Sequence, residues 1–321
     1  MTELQSRGDL VELFDPRHVC RYAAVVYSKV YDDRSYYEAV DLQRRGVRII
    51  FDLCDNHFYN PHNLKYWKEA RQRLARMMNL ADVLVASTEA LAEVIKSELL
   101  TQRPIDVIGD PVETEIGNYA MSGWRRWLAL RHSGTVLSKL TIGQGQGRSP
   151  LVWFGNHGSP SAEGGMLDLQ RIRPLLEKLN RQRPISLTVI SNSRWKYRHY
   201  IEPWAIPTYY LSWHPATFLA SLRAHLIAVI PISPNPFTVC KSNNRLALAL
   251  SEGVAVVADV IPSYRDFAGA CYLGDWETGL QSYLTDPHVR SSHAALGRTI
   301  ARDEWSMSRI ADQWQTLFDR F

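Results

Sequence analysis

Short apolar runs rich in Val, Ile, Leu and Phe alternate along the chain with longer segments whose apolar residues recur at helical spacing. The first kind predicts buried strands, the second amphipathic helices. In the first half, strands are expected over 20–26 (CRYAAVV), 47–53 (VRIIFDL), 81–86 (ADVLVA) and 104–108. Helices are expected between them over 35–45, 64–80 and 87–100, and residues 1–17 read as a loose arm. In the second half the expected strands are 151–154 (LVWF), 185–190 (ISLTVI), 208–211, 228–232, 254–258 (VAVVA) and 271–273. Helices are expected over 166–180, 215–224, 246–250, 276–284 and 302–321. Strands that are apolar on both faces need helices on both, so each half predicts an α/β domain around a parallel sheet.

The most informative stretch is 228–259. A buried strand leads into a loop holding Pro231, Pro234 and Pro236, then into Lys241, Ser242, Asn243, Asn244 and Arg245, where a short apolar helix should begin. Gly253 ends that helix, because glycine accepts the left-handed conformation there at little cost. The loop–helix junction suits an anion: free N–H groups and the positive end of the helix dipole meet two cations, Lys241 and Arg245. A diphosphate is the natural guest, and an ordinary capped helix with solvated cations is the other reading. Gly155 and Asn156, in the small-residue loop GNHGS after the 151–154 strand, could admit a phosphate close to the backbone, although the loop is neither GxGxxG nor a P-loop.

Composition narrows the class. The chain has 321 residues, long enough for two such domains, with 45% hydrophobic and 22% charged residues. No apolar run approaches the ~18 residues of a membrane span, and the polar N-terminus lacks an apolar signal core. Cys20, Cys54, Cys240 and Cys271 are scattered, which predicts reduced thiols in a cytoplasmic protein. A net charge of +4 suits anionic substrates or an anionic membrane surface and is too mild to argue for nucleic acid.

In the first half, Asp52, Asp55 and His57 stand at and just beyond the carboxyl end of the 47–53 strand, where ligands gather in open α/β sheets. A turn or cap is the alternative for the carboxylates. His57 and His62 have no obvious third partner for a metal, so no metal site is expected. Between Glu115 and Glu163 there is no acidic residue, while Arg125, Arg126 and Arg131 interleave with Trp124, Trp127, Leu128 and Leu130. That segment reads either as a basic amphipathic element for anionic headgroups or as an interdomain helix whose tryptophans pack on a domain. The GQGQGRSP run after it is the expected linker. The domains are therefore placed at 1–115 and 151–321, with 116–150 between them.

Two α/β halves with a phosphate-type junction in the second resemble the GT-B fold glycosyltransferases, in particular the retaining, sugar-nucleotide-dependent branch that builds bacterial surface polysaccharides and lipid-linked glycans. The resemblance covers most of the chain and rests on LADVLVASTEALAEVI (80–95), VWFGN (152–156) and KSNNRLALALSEGVAVVADVIPSY (241–264). It implies two Rossmann-like domains facing a cleft, an N-terminal acceptor domain, a C-terminal donor domain, and a nucleotide-sugar as substrate rather than any bound cofactor. One departure stands out: many members carry two glutamates spaced by seven residues, the second five residues before the helix-ending glycine. Here those positions are Cys240 and Leu248. The first half also lacks a Gly-rich loop after its first strand.

The function this implies is metal-independent transfer of a sugar to a hydroxyl acceptor, a glycan, polysaccharide or lipid-linked sugar. Lys241, Ser242, Asn243, Asn244, Arg245, Gly155 and Asn156 would hold the donor phosphates and sugar, with Asn192, Ser193 and Trp213 meeting the base. Asp55 and His57 would serve the acceptor, and Lys241 the charge that grows on the leaving phosphate. A nucleotide-sugar epimerase of the same fold and a non-catalytic, partner-binding relative are the rivals. Location is expected to be cytoplasmic, with peripheral contact at an anionic inner membrane face left open.

Overall fold

The computed structural model describes residues 2–113, 123–158 and 164–321, the side chains of Thr2 and Arg125 excepted. Ser159, the last residue of the expected phosphate loop, and the Arg125 side chain lie outside the described residues. Along the chain the first elements are α1 (Thr2–Ser6), β1 (Ala24–Ser28), α2 (Asp33–Arg44), β2 (Arg48–Leu53), α3 (Lys65–Leu80), β3 (Val83–Ala86), α4 (Glu89–Leu99) and β4 (Asp106–Val107). Then come α5 (Gly123–Gly145), β5 (Ser149–Phe154), α6 (Leu169–Gln182), β6 (Ile185–Ser191), α7 (Arg194–Tyr200), β7 (Thr208–Ser212), α8 (Phe218–Arg223) and β8 (Ile227–Ile230). The last are α9 (Asn244–Ser251), β9 (Ala255–Ala258), β10 (Tyr272–Leu273), α10 (Trp276–Thr285), α11 (Pro287–Trp305) and α12 (Met307–Phe318). These form two compact units: unit 1 from Met1–Pro111, Asn235–Ser242 and Glu304–Phe321, and unit 2 from Val112–Pro234 and Asn243–Asp303.

Unit 1 is a parallel sheet in the order β1-β2-β3-β4. Because side chains alternate along a strand, Ile49, Phe51 and Leu53 of β2 enter one core with Leu42 of α2, Leu74 and Met77 of α3 and Leu91 of α4. Ile50 and Val85 enter the other, which Ile310 and Leu317 of α12 close. The C-terminal helix thus covers the sheet face that α2, α3 and α4 leave bare.

Unit 2 is a parallel six-stranded sheet in the order β10-β9-β8-β5-β6-β7. All of β6 is buried. Leu187 and Val189 pack in the cluster that holds Leu176 of α6 and Tyr283 of α10. On the opposite face Thr188 meets His225, whose Nε2 lies 2.7 Å from the threonine hydroxyl.

Several boundaries differ from the expected ones. Pro16–Arg21 forms a 3₁₀ turn in place of the start of the first strand, with Asp15 accepting from the Arg17 N–H ahead of Pro16. The loose arm is tied down: Arg7 donates to Asp312 at 2.6 Å and to the Ser308 carbonyl at 3.0 Å. The single helix expected over 302–321 is interrupted at Ser306, which caps α12 through the Arg309 N–H. The Gly/Gln run read as a linker begins inside α5: Gly143 and Gly145 belong to its last turn. The helix tolerates them, at about 1 kcal/mol each relative to Ala, because Val136 and Leu140 anchor it on unit 2.

Candidate functional site

The order of the unit 2 sheet reverses direction between β5 and β8, and the crevice at such a switch point, beyond the carboxyl ends of the strands, is where open α/β sheets take ligands. The loop after β5 is held there by its neighbours. The Ser191 hydroxyl donates to the Gly155 carbonyl at 2.7 Å, the His157 N–H donates to Asn192 Oδ1 at 3.1 Å, and Lys196 Nζ donates to the His157 carbonyl at 3.1 Å. Asn156 Oδ1 accepts from the Gly158 N–H at 3.2 Å. Gly165, at φ +83°, lies so close beneath this loop that a Cβ would stand 2.7 Å from the Asn156 carbonyl oxygen. Asn192 therefore orders the loop, and Ser193 caps α7 by accepting from the Lys196 N–H. Trp213, half exposed, packs on Phe218 with ring centroids 6.2 Å apart.

The other wall is the start of α9. Asn243 is its N-cap, 1% exposed, and its side chain makes no cap hydrogen bond. Instead its Nδ2 faces Asp266 at 3.4 Å, and its buried Oδ1 has no partner among the described residues. The first-turn N–H groups of α9 are thus left uncapped by the side chain best placed to cap them, which preserves an electropositive end. The Arg245 guanidinium lies against Gly155, where a Cβ would stand 3.1 Å from Nη1, and acts on Tyr264, whose phenol burial pushes to a higher pKa while Arg245 pulls it down. Gly155, Asn156 and Arg245 occupy one crest of unit 2. Asp259 is structural there, accepting from the Ile232 N–H and Arg171 at 2.7 Å each and from Trp276 Nε1 at 2.9 Å.

Lys241 and Ser242 belong to unit 1. Two bonds anchor their segment: Asn56 Nδ2 donates to the Pro236 carbonyl at 2.8 Å, and the Thr88 hydroxyl to the Cys240 carbonyl at 3.0 Å. Lys241 Nζ then donates to Asp55 Oδ1 at 2.6 Å and lies 4.2 Å from the Phe237 ring centroid, while the Ser242 hydroxyl donates to Asp110 Oδ2 at 2.7 Å. The other Asp55 oxygen faces Lys29 Nζ at 3.8 Å. Asp55 is thus a carboxylate between two ammonium groups.

Three further groups complete this crest. Asp52 accepts from the Ser28 hydroxyl at 2.7 Å; burial raises its pKa, and Asp110 adds to that. Burial works against the Lys29 ammonium, but a hydrogen bond with Cys54 and the Asp55 and Asp110 carboxylates outweigh it and raise its pKa. His57 is held below the ordinary imidazole value by burial, with Lys29 and Lys241 acting the same way against Asp55. Its Nδ1 lies 3.1 Å from the Tyr31 hydroxyl, and the two rings meet edge to face. Lys29 adopts φ +57°, a left-handed conformation that costs a non-glycine residue about 1 kcal/mol or more. Neither Lys29 nor Tyr31 stood out in the sequence; the one available signal was that they follow the carboxyl end of the first strand. Among the described residues, no group of three His, Cys, Asp or Glu side chains gathers as a metal ion would need.

No protein-family model matches the sequence, and no curated protein does. Solved structures do. A trehalose-6-phosphate protein from E. coli, bound with UDP-2-fluoro glucose, matches 92% of this chain and 72% of its own at 14% identity and a TM-score of 0.58. The UDP-forming α,α-trehalose-phosphate synthase of Burkholderia vietnamiensis matches 92% and 73% at 13% identity and a TM-score of 0.60. TarM matches 92% of this chain over 54% of its own, at 13% identity and a TM-score of 0.59. With its two parallel-sheet units, the chain has the fold of the GT-B glycosyltransferases.

Proposed function

We propose that the protein transfers a sugar from a nucleotide-sugar donor to a hydroxyl acceptor, with the donor held by unit 2 and the acceptor served by unit 1. The observation that carries this reading is the crest of the unit 2 sheet, where the β5 loop, the uncapped start of α9 and the Arg245 guanidinium converge at the switch point. A nucleoside diphosphate sugar, the kind of ligand bound in the E. coli neighbour, matches that combination of amide donors, one guanidinium and an exposed indole. As the bond from the anomeric carbon to the diphosphate oxygen breaks, negative charge grows on the leaving group. Arg245 and the α9 terminus favour that charge more than the ground state, which is the direction that accelerates the step. These charges do the work without a metal in this reading.

On the acceptor side, a proton must leave the hydroxyl as its oxygen bonds to the anomeric carbon. Asp55 is engaged by two ammonium groups, and His57, whose pKa burial lowers, is the residue assigned as base. In the tautomer whose Nδ1–H faces the Tyr31 oxygen 3.1 Å away, Nε2 is the atom that takes the proton. Lys241 and Asp55 then order the acceptor.

The test is thermal unfolding with UDP, GDP, ADP, TDP, CDP and CMP on wild type and Arg245→Ala. A nucleotide at ~100 times its dissociation constant should stabilise wild type by about 2.7 kcal/mol and leave Arg245→Ala almost unmoved. Stabilisation of neither protein by any nucleotide overturns the donor assignment. The corresponding nucleotide-sugar should then be consumed only with an acceptor present, and chelation with EDTA should leave that turnover intact.

A further inference from the structure

Helix α5 has its orientation on unit 2 fixed by three observations. Ser133, Val136 and Leu140 are buried. The Ser133 hydroxyl lies 3.0 Å from that of Ser221, and His132 Nε2 lies 3.0 Å from the Tyr210 carbonyl oxygen. At 100° per residue this buried stripe dictates the opposite face. Trp124, Trp127, Leu128 and Arg131 fall on it, one turn after another, and Ile142 extends the same line to the far end. Trp124 is 61% exposed, Trp127 56%, Leu128 46% and Ile142 62%. Leu130, beside the stripe, is 48% exposed. The tryptophans that an interdomain helix would have packed are therefore the ones it presents outward.

We propose that this face of α5 docks the protein on an anionic lipid surface. Charge and chemistry select that occupant. Arg126, Arg131 and Lys139 are exposed on the helix, and the sequence has no acidic residue between Glu115 and Glu163. The Arg131 guanidinium sits over the Trp127 ring at 5.4 Å, so the cation is held at the level of the indole instead of reaching away from it. Indole rings have an apolar body and a polar N–H, and they settle at the boundary between headgroups and acyl chains; arginines beside them meet the phosphates. An acidic protein partner would account for the cations but not for the indole and aliphatic groups that share the face, where the polar interruptions between Arg131 and Ile142 are the hydroxyls of Thr135 and Ser138. The helix lies in the surface and does not cross it, since no helix among the described residues is long and apolar enough to span a membrane. Its 23 residues, ~34 Å at 1.5 Å per residue, give contact along the whole face.

The experiment is co-sedimentation of the full chain with phosphatidylcholine vesicles, with and without phosphatidylglycerol, at low and high salt. Binding is expected to the anionic vesicles and to fall with salt. Arg126→Gln with Arg131→Gln should weaken partitioning roughly thirtyfold, at about 1 kcal/mol per cation near the surface. Trp124→Ser with Trp127→Ser should abolish binding and the blue shift of indole fluorescence that accompanies it. All four positions are solvent-facing, so unchanged thermal unfolding of the variants separates lost docking from lost folding. Equal failure to bind either vesicle overturns the proposal, as does equal binding to both. So does concentration-dependent self-association that the tryptophan variant removes without any vesicle binding, which would make a second copy the occupant. None of these outcomes depends on nucleotide binding.

Discussion

The two units carry their polar groups on the same edge of a parallel sheet and use them differently. At the carboxyl edge of the unit 2 sheet, bonds to the loop backbone do the ordering, with no carboxylate among their partners. Ser191, Asn192 and Lys196 bond to that backbone, Gly165 packs beneath it, and Arg245 is laid against Gly155. At the corresponding edge of unit 1, charge does the ordering: Asp55 lies between Lys241 and Lys29, with Asp52, Asp110 and His57 around them. In the proposed function, the first arrangement presents amides and a guanidinium to a guest whose charge is fixed. The second holds titratable groups close enough to set each other's protonation, which is what a step that moves a proton requires.

That difference is broken most directly by turnover. Arg245→Ala should cost a hundredfold or more in kcat, the scale seen when a preorganised charge partner is removed, and should abolish stabilisation by nucleotide. His57→Gln should cost at least about a hundredfold in kcat while leaving nucleotide stabilisation intact. In wild type, kcat/KM should decline on the acid side only below the ordinary imidazole pKa of about 6.5, since burial lowers that of His57. An acid limb above that value would remove His57 from the role. Lys241→Ala and Asp55→Asn should each lower turnover, and the double variant should be little worse than either single one, because the pair acts through one contact. Additive losses would show that Lys241 and Asp55 work separately.

Much of unit 2 was legible because its signals are local. Strands 185–190 and 254–258 are apolar on both faces, and Gly253 marks the end of α9. Gly155, Asn156 and Arg245 follow strands or open a helix, so position alone nominates them, and Asp55 and His57 of unit 1 are nominated in the same way; their roles rest on the proposed function. The partnership of Lys241 was not, because it depends on where 235–242 folds: nothing in KSNNR says that Lys241 turns to Asp55 while Arg245, four residues on, packs against Gly155. Asn192 and Ser193, nominated for the base by their place at a strand's carboxyl end, also make bonds the sequence did not show, to a loop and to a helix cap.

A smaller effect sharpens the contrast from within the unit 2 core. His225 is buried, with Nδ1 2.8 Å from the Ser221 carbonyl oxygen and Nε2 2.7 Å from Thr188 Oγ1. Burial lowers its pKa to about 4. Between that value and the unfolded value of about 6.5, the unfolded chain binds the extra proton, so stability falls as pH falls through this window, by about 3 kcal/mol in full. Urea unfolding at pH 7 and pH 4.5 should show this loss, and His225→Asn, which cannot take up the proton, should show a loss smaller by most of that amount. Equal losses in both proteins would mean that carboxylates, not this histidine, set the acid limb of unit 2.

The smallest effect tests whether strain at the unit 1 edge serves function. Lys29 holds φ +57°, a conformation glycine adopts at almost no steric cost, so Lys29→Gly should relieve about 1 kcal/mol. Against this stands the Asp55 contact at 3.8 Å, a partly exposed ion pair whose net contribution is at most about 1 kcal/mol. Urea unfolding of Lys29→Gly should therefore give a midpoint equal to or above that of wild type. If the strain is retained for the reaction, turnover should nonetheless fall, because Asp55 keeps Lys241 and loses its second ammonium, and kcat should drop more than KM rises. A variant that is less stable by more than 1 kcal/mol and fully active would make Lys29 a structural residue. It would also leave this edge of unit 1 with the Lys241–Asp55 contact in place of a carboxylate held from both sides.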